Sequence, residues 1–153
     1  MVCLGNICRS PMAAAVAQAM VSEAGLQDRI SVESFGTAGY HQGESADSRA
    51  IAALRRNGWP AEGHRARKIT AEDVATIDMI LCADNSNLRD VRRLAPEHEA
   101  KVRLLRSFDP ASIAGDGEVP DPWGGNAKDF DQALELIEAA CRGLIGQLAT
   151  TSR

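Results

Sequence analysis

Aromatic side chains are scarce in this chain, only 4% of 153 residues. Any that fall in loops therefore need a reason other than core filling. No apolar run approaches the roughly 20 residues of a membrane helix. No leader is legible either: Met1 runs straight into a cysteine-bearing loop, and a cytoplasmic location is expected. Basic excess is missing, with 17 Lys and Arg against 21 Asp and Glu and a net charge of −4. Nucleic acid and anionic membrane both need a basic face, so neither is expected as a main partner. Cysteine is limited to Cys3, Cys8, Cys82 and Cys141. A structural zinc site needs two close Cys pairs; Cys3 and Cys8 make one at the long limit, whereas Cys82 and Cys141 stand alone in apolar patterns and read as small buried hydrophobes. No metal and no cofactor is expected. Repeats and low-complexity segments are absent. What the chain does have is 44% hydrophobic residues, enough for one core, so residues 1–153 are expected to form a single domain.

The densest signal is Met1-Val-Cys-Leu-Gly-Asn-Ile-Cys-Arg-Ser-Pro11. The spacing from Cys3 to Arg9 lets successive backbone N–H groups converge on one anion, while a helix opening near Ser10 aims its positive end at the same point. The Arg9 guanidinium can grip two oxygens in fork geometry, and the same positive field favours a Cys3 thiolate. The two residues alone would equally describe a buried thiol and a surface cation. The filling decides between these. Gly5 permits close backbone approach, Asn6 tolerates the left-handed conformation of a tight loop, and Ser10 can hydrogen-bond the thiolate and cap a helix. Pro11 falls in the first helical turn, where its missing N–H costs nothing.

This loop resembles the phosphate loop of the low-molecular-weight protein tyrosine phosphatases. Further segments match that family's landmarks in order: Ser34-Phe-Gly-Thr-Ala-Gly-Tyr-His41, Ala46-Asp-Ser-Arg49, His64-Arg-Ala-Arg67, Ile80-Leu-Cys-Ala-Asp84 with Ser86-Asn-Leu-Arg89, and Val119-Pro-Asp-Pro-Trp-Gly124. The resemblance implies hydrolysis of phosphotyrosine and aryl phosphates through a cysteinyl-phosphate intermediate, with phosphotyrosine proteins as substrates and phosphate or other oxyanions held in the loop. Cys3 would be the nucleophile, Arg9 the oxyanion clamp and Asp121 the acid and then base. Leu4, Gly5, Asn6, Ile7, Cys8 and Ser10 would cradle the phosphate, and Tyr40 and Trp123 would wall the cleft for a phenyl ring. Ser34 and His64 would lock Asn6 in its left-handed form. Asp47, Arg49 and Asp84 would organise the surrounding helices and loops, Asp109 would be structural, and Cys8 would shelter Cys3 through a reversible disulfide. Where many members carry Asp-Pro-Tyr-Tyr, this chain has Asp121-Pro-Trp-Gly124, so regulation by kinases at those tyrosines is not expected.

The pattern along the chain gives helices over Ser10–Ala24, Asp47–Asn57, a short one after Thr70, Asn85–Leu94 and Phe130–Leu148, and strands at Ile30–Ser34, Ile77–Cys82 and Val102–Leu105. Asp109–Pro122 reads as loop. With a first strand ending at Cys3, the expected fold is a three-layer α/β/α domain. Its four-stranded parallel sheet carries the phosphate loop between the first strand and first helix. Only Met1 and Val2 precede Cys3, so that strand is short; either the start as written omits residues or the fold accepts a stub.

Three other functions share parts of this pattern. An arsenate reductase of the same fold needs further cysteines to relay a disulfide, and no second Cys follows Cys82 in the next helix. A protein arginine phosphatase carries Thr where Ile7 stands; Ile7 offers a methyl-rich surface suited to an aryl group. A phosphate-binding module needs neither the thiol of Cys3 nor the carboxyl of Asp121.

Overall fold

The computed structural model describes residues 1–151. Its strands are β1 (Val2–Cys3), β2 (Phe35–Gly36), β3 (Ile80–Cys82) and β4 (Val102–Leu104), and its α-helices are α1 (Arg9–Glu23), α2 (Ser48–Arg56), α3 (Ala71–Thr76), α4 (Asn85–Leu94) and α5 (Ala127–Thr151). The strands form one parallel sheet in the order β2-β1-β3-β4, which puts β1 inside it. Parallel neighbours need crossovers, and the helices supply them on both faces.

Side chains alternate along the strands, as the pleat requires. Val2, Phe35, Ile80, Cys82 and Val102 face α3 and α4 and pack with Val74 and Val91. Cys3 and Leu81 point the other way, into a larger core built with α1, α2 and α5 around Met12, Val16, Leu54, Phe130 and Ile137. That makes the three layers expected from the sequence.

Local chemistry sets the helix starts. Asp47 accepts from the Arg49 N–H at 2.9 Å and caps α2. Thr70 and Asp73 form a capping box on α3, and Asp84 with Asn87 forms another on α4. Ser10 does not cap α1, contrary to expectation: the helix already starts at Arg9, and the hydroxyl is engaged elsewhere.

The second strand is also displaced. Residues 30–34 do not form a strand, because β1 offers only Val2 and Cys3, which register with Phe35 and Gly36. Ile30 and Val32 instead pack, half-buried, against the larger core. Within Asp109–Pro122, read as loop throughout, Pro110–Ala114 winds into a 3₁₀ turn whose first N–H groups are met by Asp109, buried and accepting from Ala111 at 2.9 Å. Cys82 and Cys141 are fully buried, as expected of small hydrophobes.

Candidate active site

Cys3 ends the central strand, and the chain turns at once through residues 4–8 into α1. Two hydrogen bonds from the strand beside it hold the turn, Thr37 N–H to Cys3 O at 2.9 Å and Ala38 N–H to Leu4 O at 3.0 Å. Gly36 must be glycine for this approach, since a Cβ there would stand 2.8 Å from Leu4 O and 2.9 Å from Ala38 O. On the far side Asp47 N–H donates to Ile7 O at 2.8 Å, so the cap of α2 is pinned to the loop.

Asn6 sets the curvature of the loop. It is the one non-glycine among the described residues with positive φ, 57°, and it is completely buried. Its amide N–H₂ donates to Ser10 Oγ at 2.8 Å and to Ser34 Oγ at 3.1 Å, while its Oδ1 accepts from Arg67 N–H at 2.9 Å. His64 Nε2 lies 2.6 Å from Asn6 O and donates to it, which leaves Nδ1 to accept from Ser34 Oγ at 3.4 Å. This closed ring of bonds needs a neutral imidazole. Burial acts in the same direction, holding His64 below its ordinary value of 6.5 against the opposing pull of the Asn6 bond.

Ser10 completes the chain of donors. Its Oγ sits 3.0 Å from Cys3 Sγ. Because it already accepts from Asn6, its own proton is available to the sulfur. Burial, with Asp47 as a lesser cause, pushes the Cys8 thiol up to about 12. Cys8 therefore stays a thiol at neutral pH.

Arg9 is buried and held from two sides. Nη1 donates to Asp84 Oδ2 at 2.7 Å and to Val119 O at 2.9 Å. One Asp84 carboxylate thus grips Arg9 with Oδ2 while its Oδ1 caps α4 through Asn87 N–H at 2.8 Å. Nη2 lies 3.6 Å from Asp121 Oδ2. The loop carrying Asp121 is anchored by Val119 N–H to Ala83 O at 2.8 Å and by Asn85 N–H to Glu118 Oε2 at 2.7 Å.

These elements enclose a cavity of about 330 Å³. Cys3, Leu4, Gly5, Ile7, Cys8 and Arg9 form its floor, and Asp121 stands at its side. Tyr40 and Trp123 form the mouth and are well exposed, at 75% and 57%. The structure thus brings together all three expected catalytic residues and most of the expected binding residues. Asn6 and Ser10 do not line the wall; they stand behind the loop and shape it. Ser34 and His64 lie one layer further back, and Asp109 lies outside the cavity. Two contributors went unassigned in the sequence. The Val119 carbonyl is backbone and leaves no side-chain signature. His41, quoted only as part of a motif, lines the cavity beside Gly5. Among the described residues no cluster of His, Cys, Asp or Glu is arranged to hold a metal ion.

A thiol at the end of an inner parallel strand and a buried guanidinium thus line one cavity, on a loop that opens a helix. The family described as low molecular weight phosphotyrosine protein phosphatase matches residues 1–153, and the chain belongs to it. It is 47% identical over 146 residues to a low molecular weight protein-tyrosine-phosphatase of Streptomyces coelicolor, covering 94% of this chain and 88% of that one. The human low molecular weight phosphotyrosine protein phosphatase is 41% identical over 147 residues, covering 94% and 90%. Among solved structures, a protein tyrosine phosphatase from Entamoeba histolytica with Hepes in the active site superposes with a TM-score of 0.91 at 32% identity, over 99% of this chain and 96% of that one.

Proposed function

We propose that this chain, acting as one catalytic unit over residues 1–153, hydrolyses phosphotyrosine in proteins, and that Cys3, Arg9 and Asp121 carry the reaction. The observation that carries this reading is the convergence of these three side chains on one cavity with an aromatic mouth. The Cys3 thiolate, hydrogen-bonded by Ser10, attacks phosphorus while the bond to the tyrosyl oxygen breaks. Asp121 gives its proton to the departing phenolate, and Arg9 with the loop N–H groups holds the equatorial oxygens. Water then attacks the cysteinyl phosphate, Asp121 takes back a proton, and the S–P bond breaks to release phosphate. Arg9 is suited to this because Asp84 and Val119 O fix one arm of its guanidinium and leave the fork aimed.

Cys3 and Cys8 line one cavity, which supports the protective role: a Cys3 sulfenic acid condenses with the Cys8 sulfhydryl to give a disulfide and water. Cys82 is poorly suited to an arsenate-reductase relay: it is fully buried and packs on the sheet face opposite Cys3. The reading includes a cytoplasmic setting; no helix among the described residues is long and apolar enough to cross a membrane.

The test is a substrate panel of p-nitrophenyl phosphate, phosphotyrosine, phosphoserine and phosphoarginine peptides, with an arsenate assay coupled to thioredoxin. Aryl esters are expected to turn over fastest, and Cys3→Ser is expected to abolish turnover while circular dichroism stays unchanged. A Cys3→Ser variant that retains substantial turnover overturns the covalent route.

A further inference from the structure

His41 lies at the lip of the cavity, between the exposed Tyr40 and the floor residue Gly5. Its ring rests on the phosphate loop itself: a Cβ added to Gly5 would stand 3.1 Å from His41 Cδ2 and 3.7 Å from Nε2. A side chain at position 5 would press the ring back by a few tenths of an ångström. The other edge of the ring is fixed, with Nδ1 2.7 Å from Glu44 Oε2. A carboxylate only accepts, so Nδ1 carries a proton, and Nε2 is the atom left for an incoming group. Among the described residues Nε2 has no hydrogen-bond partner.

The oxyanion in the proposed reaction is served by the loop N–H groups and Arg9. His41 sits beyond them, where the peptide on either side of a phosphotyrosine must pass. We propose that His41 is a specificity-determining residue that, when protonated, donates Nε2–H to a carboxylate side chain flanking the phosphotyrosine, so that this phosphatase prefers acidic sites in a pH-dependent way. The inference rests on the phosphotyrosine phosphatase reading above.

The charges around the ring sharpen the dependence. Glu44 shares its loop, Asp47 faces it from the start of α2, and Asp121 and Arg9 stand across the cavity with the thiols Cys3 and Cys8. Asp47 is paired with Arg49 at 2.9 Å and Arg9 with Asp84 at 2.7 Å, so with a neutral imidazole Glu44 and Asp121 are the carboxylates that repel an acidic flank at this rim. With an imidazolium, Nε2 presents a donor and a positive charge on the one side that Glu44 does not cover. An imidazole gains its charge as pH falls, so the preference strengthens on acidification and fades toward alkaline pH.

The experiment measures kcat/KM for three matched phosphotyrosine peptides with acidic, neutral and basic flanks, from about pH 5.5 to about pH 8. The readout is the ratio of acidic to neutral peptide, which a general loss of turnover does not move. In the wild type the ratio is expected to reach about five-fold at the acid end, the upper range of a surface charge pair, and to fall toward one at the alkaline end. His41→Asn is expected to flatten the ratio across the range. His41→Lys, which keeps a positive charge throughout, is expected to hold the acidic preference to the alkaline end. An unchanged ratio in His41→Asn, a ratio independent of pH in the wild type, or a preference for the basic peptide overturns the proposal. Hydrolysis of all three peptides without flank preference sinks this inference alone; failure to hydrolyse any of them sinks the parent reading.

Discussion

Asp121 is held more loosely than Cys3 or Arg9, both buried. It is 45% exposed, its Oδ2 lies 3.6 Å from Arg9, and its Oδ1 accepts from Trp123 N–H at 3.2 Å. A proton donor needs that freedom to follow the leaving oxygen. Asp121→Asn is expected to slow phosphotyrosine hydrolysis by on the order of 10²–10⁴ and to slow p-nitrophenyl phosphate less, because a better leaving group needs less help. Equal losses for both esters in steady-state assays would assign Asp121 a structural role. At this scale the sequence was legible where chemistry demands a residue type. A left-handed loop position wants Asn, and Asn6 has φ 57°. Asp84 was legible only as an organiser of the surrounding loops; its grip on Arg9 comes from the fold, which brings residues 9 and 84 together. His41 was not legible, because only the folded path of residues 37–46 lays its ring over Gly5.

Helix α5 shows how packing can reverse an element's own preference. Glycine inside a helix costs roughly 1 kcal/mol relative to alanine, so Gly143→Ala would stabilise an isolated helix. Here α5 packs against the 3₁₀ turn at Leu105–Phe108, and a Cβ on Gly143 would collide with the Phe108 carbonyl. Backbone cannot move aside as a flexible side chain can. Gly143→Ala is expected to destabilise the protein by on the order of 1–3 kcal/mol, a fall of about 2–4 °C in melting temperature per kcal/mol, read by calorimetry. A rise in melting temperature would show that the helix preference wins. Element boundaries were legible where a side chain fixes them: α4 runs over the expected Asn85–Leu94 because Asp84 caps it. Strand limits were not, since β2 extends only as far as its partner β1 can pair, and no residue within 30–36 records the length of β1.

For the molecule as a whole, two ionisations in the site's supports tie stability to pH. His64 is held below 6.5 by burial, and Asp47 below 3.8, chiefly by its hydrogen bond to Arg49. A depressed folded value means that the unfolded chain binds protons more readily, so stability is fully present above the ordinary value and is lost as pH falls through the folded one. Melting temperature is therefore expected to decline as pH drops below about 6.5 and again below about 4, and His64→Gln should remove the first step. A melting temperature that climbs on acidification from pH 7 to 5 would contradict this assignment. The three-layer order was legible from alternating strands and helices, because parallel neighbours must be bridged. The two cores were not, since the sequence does not show which strand face meets which helices.

The double tether on Arg9 has a thermodynamic corollary. Its guanidinium joins the first crossover to Asp84 at the head of α4 and to Val119 before the acid loop, segments far apart in the chain. An oxyanion seated against it acts as a reversible crosslink among them and has no counterpart in the unfolded chain. By mass action such an anion stabilises the fold by about 2.7 kcal/mol at roughly a hundredfold excess over its Kd. Phosphate, sulfate and vanadate should each raise the melting temperature with the logarithm of concentration, in the order of their inhibition constants. Arg9→Lys should flatten that slope, since a point charge cannot clasp two oxygens at once.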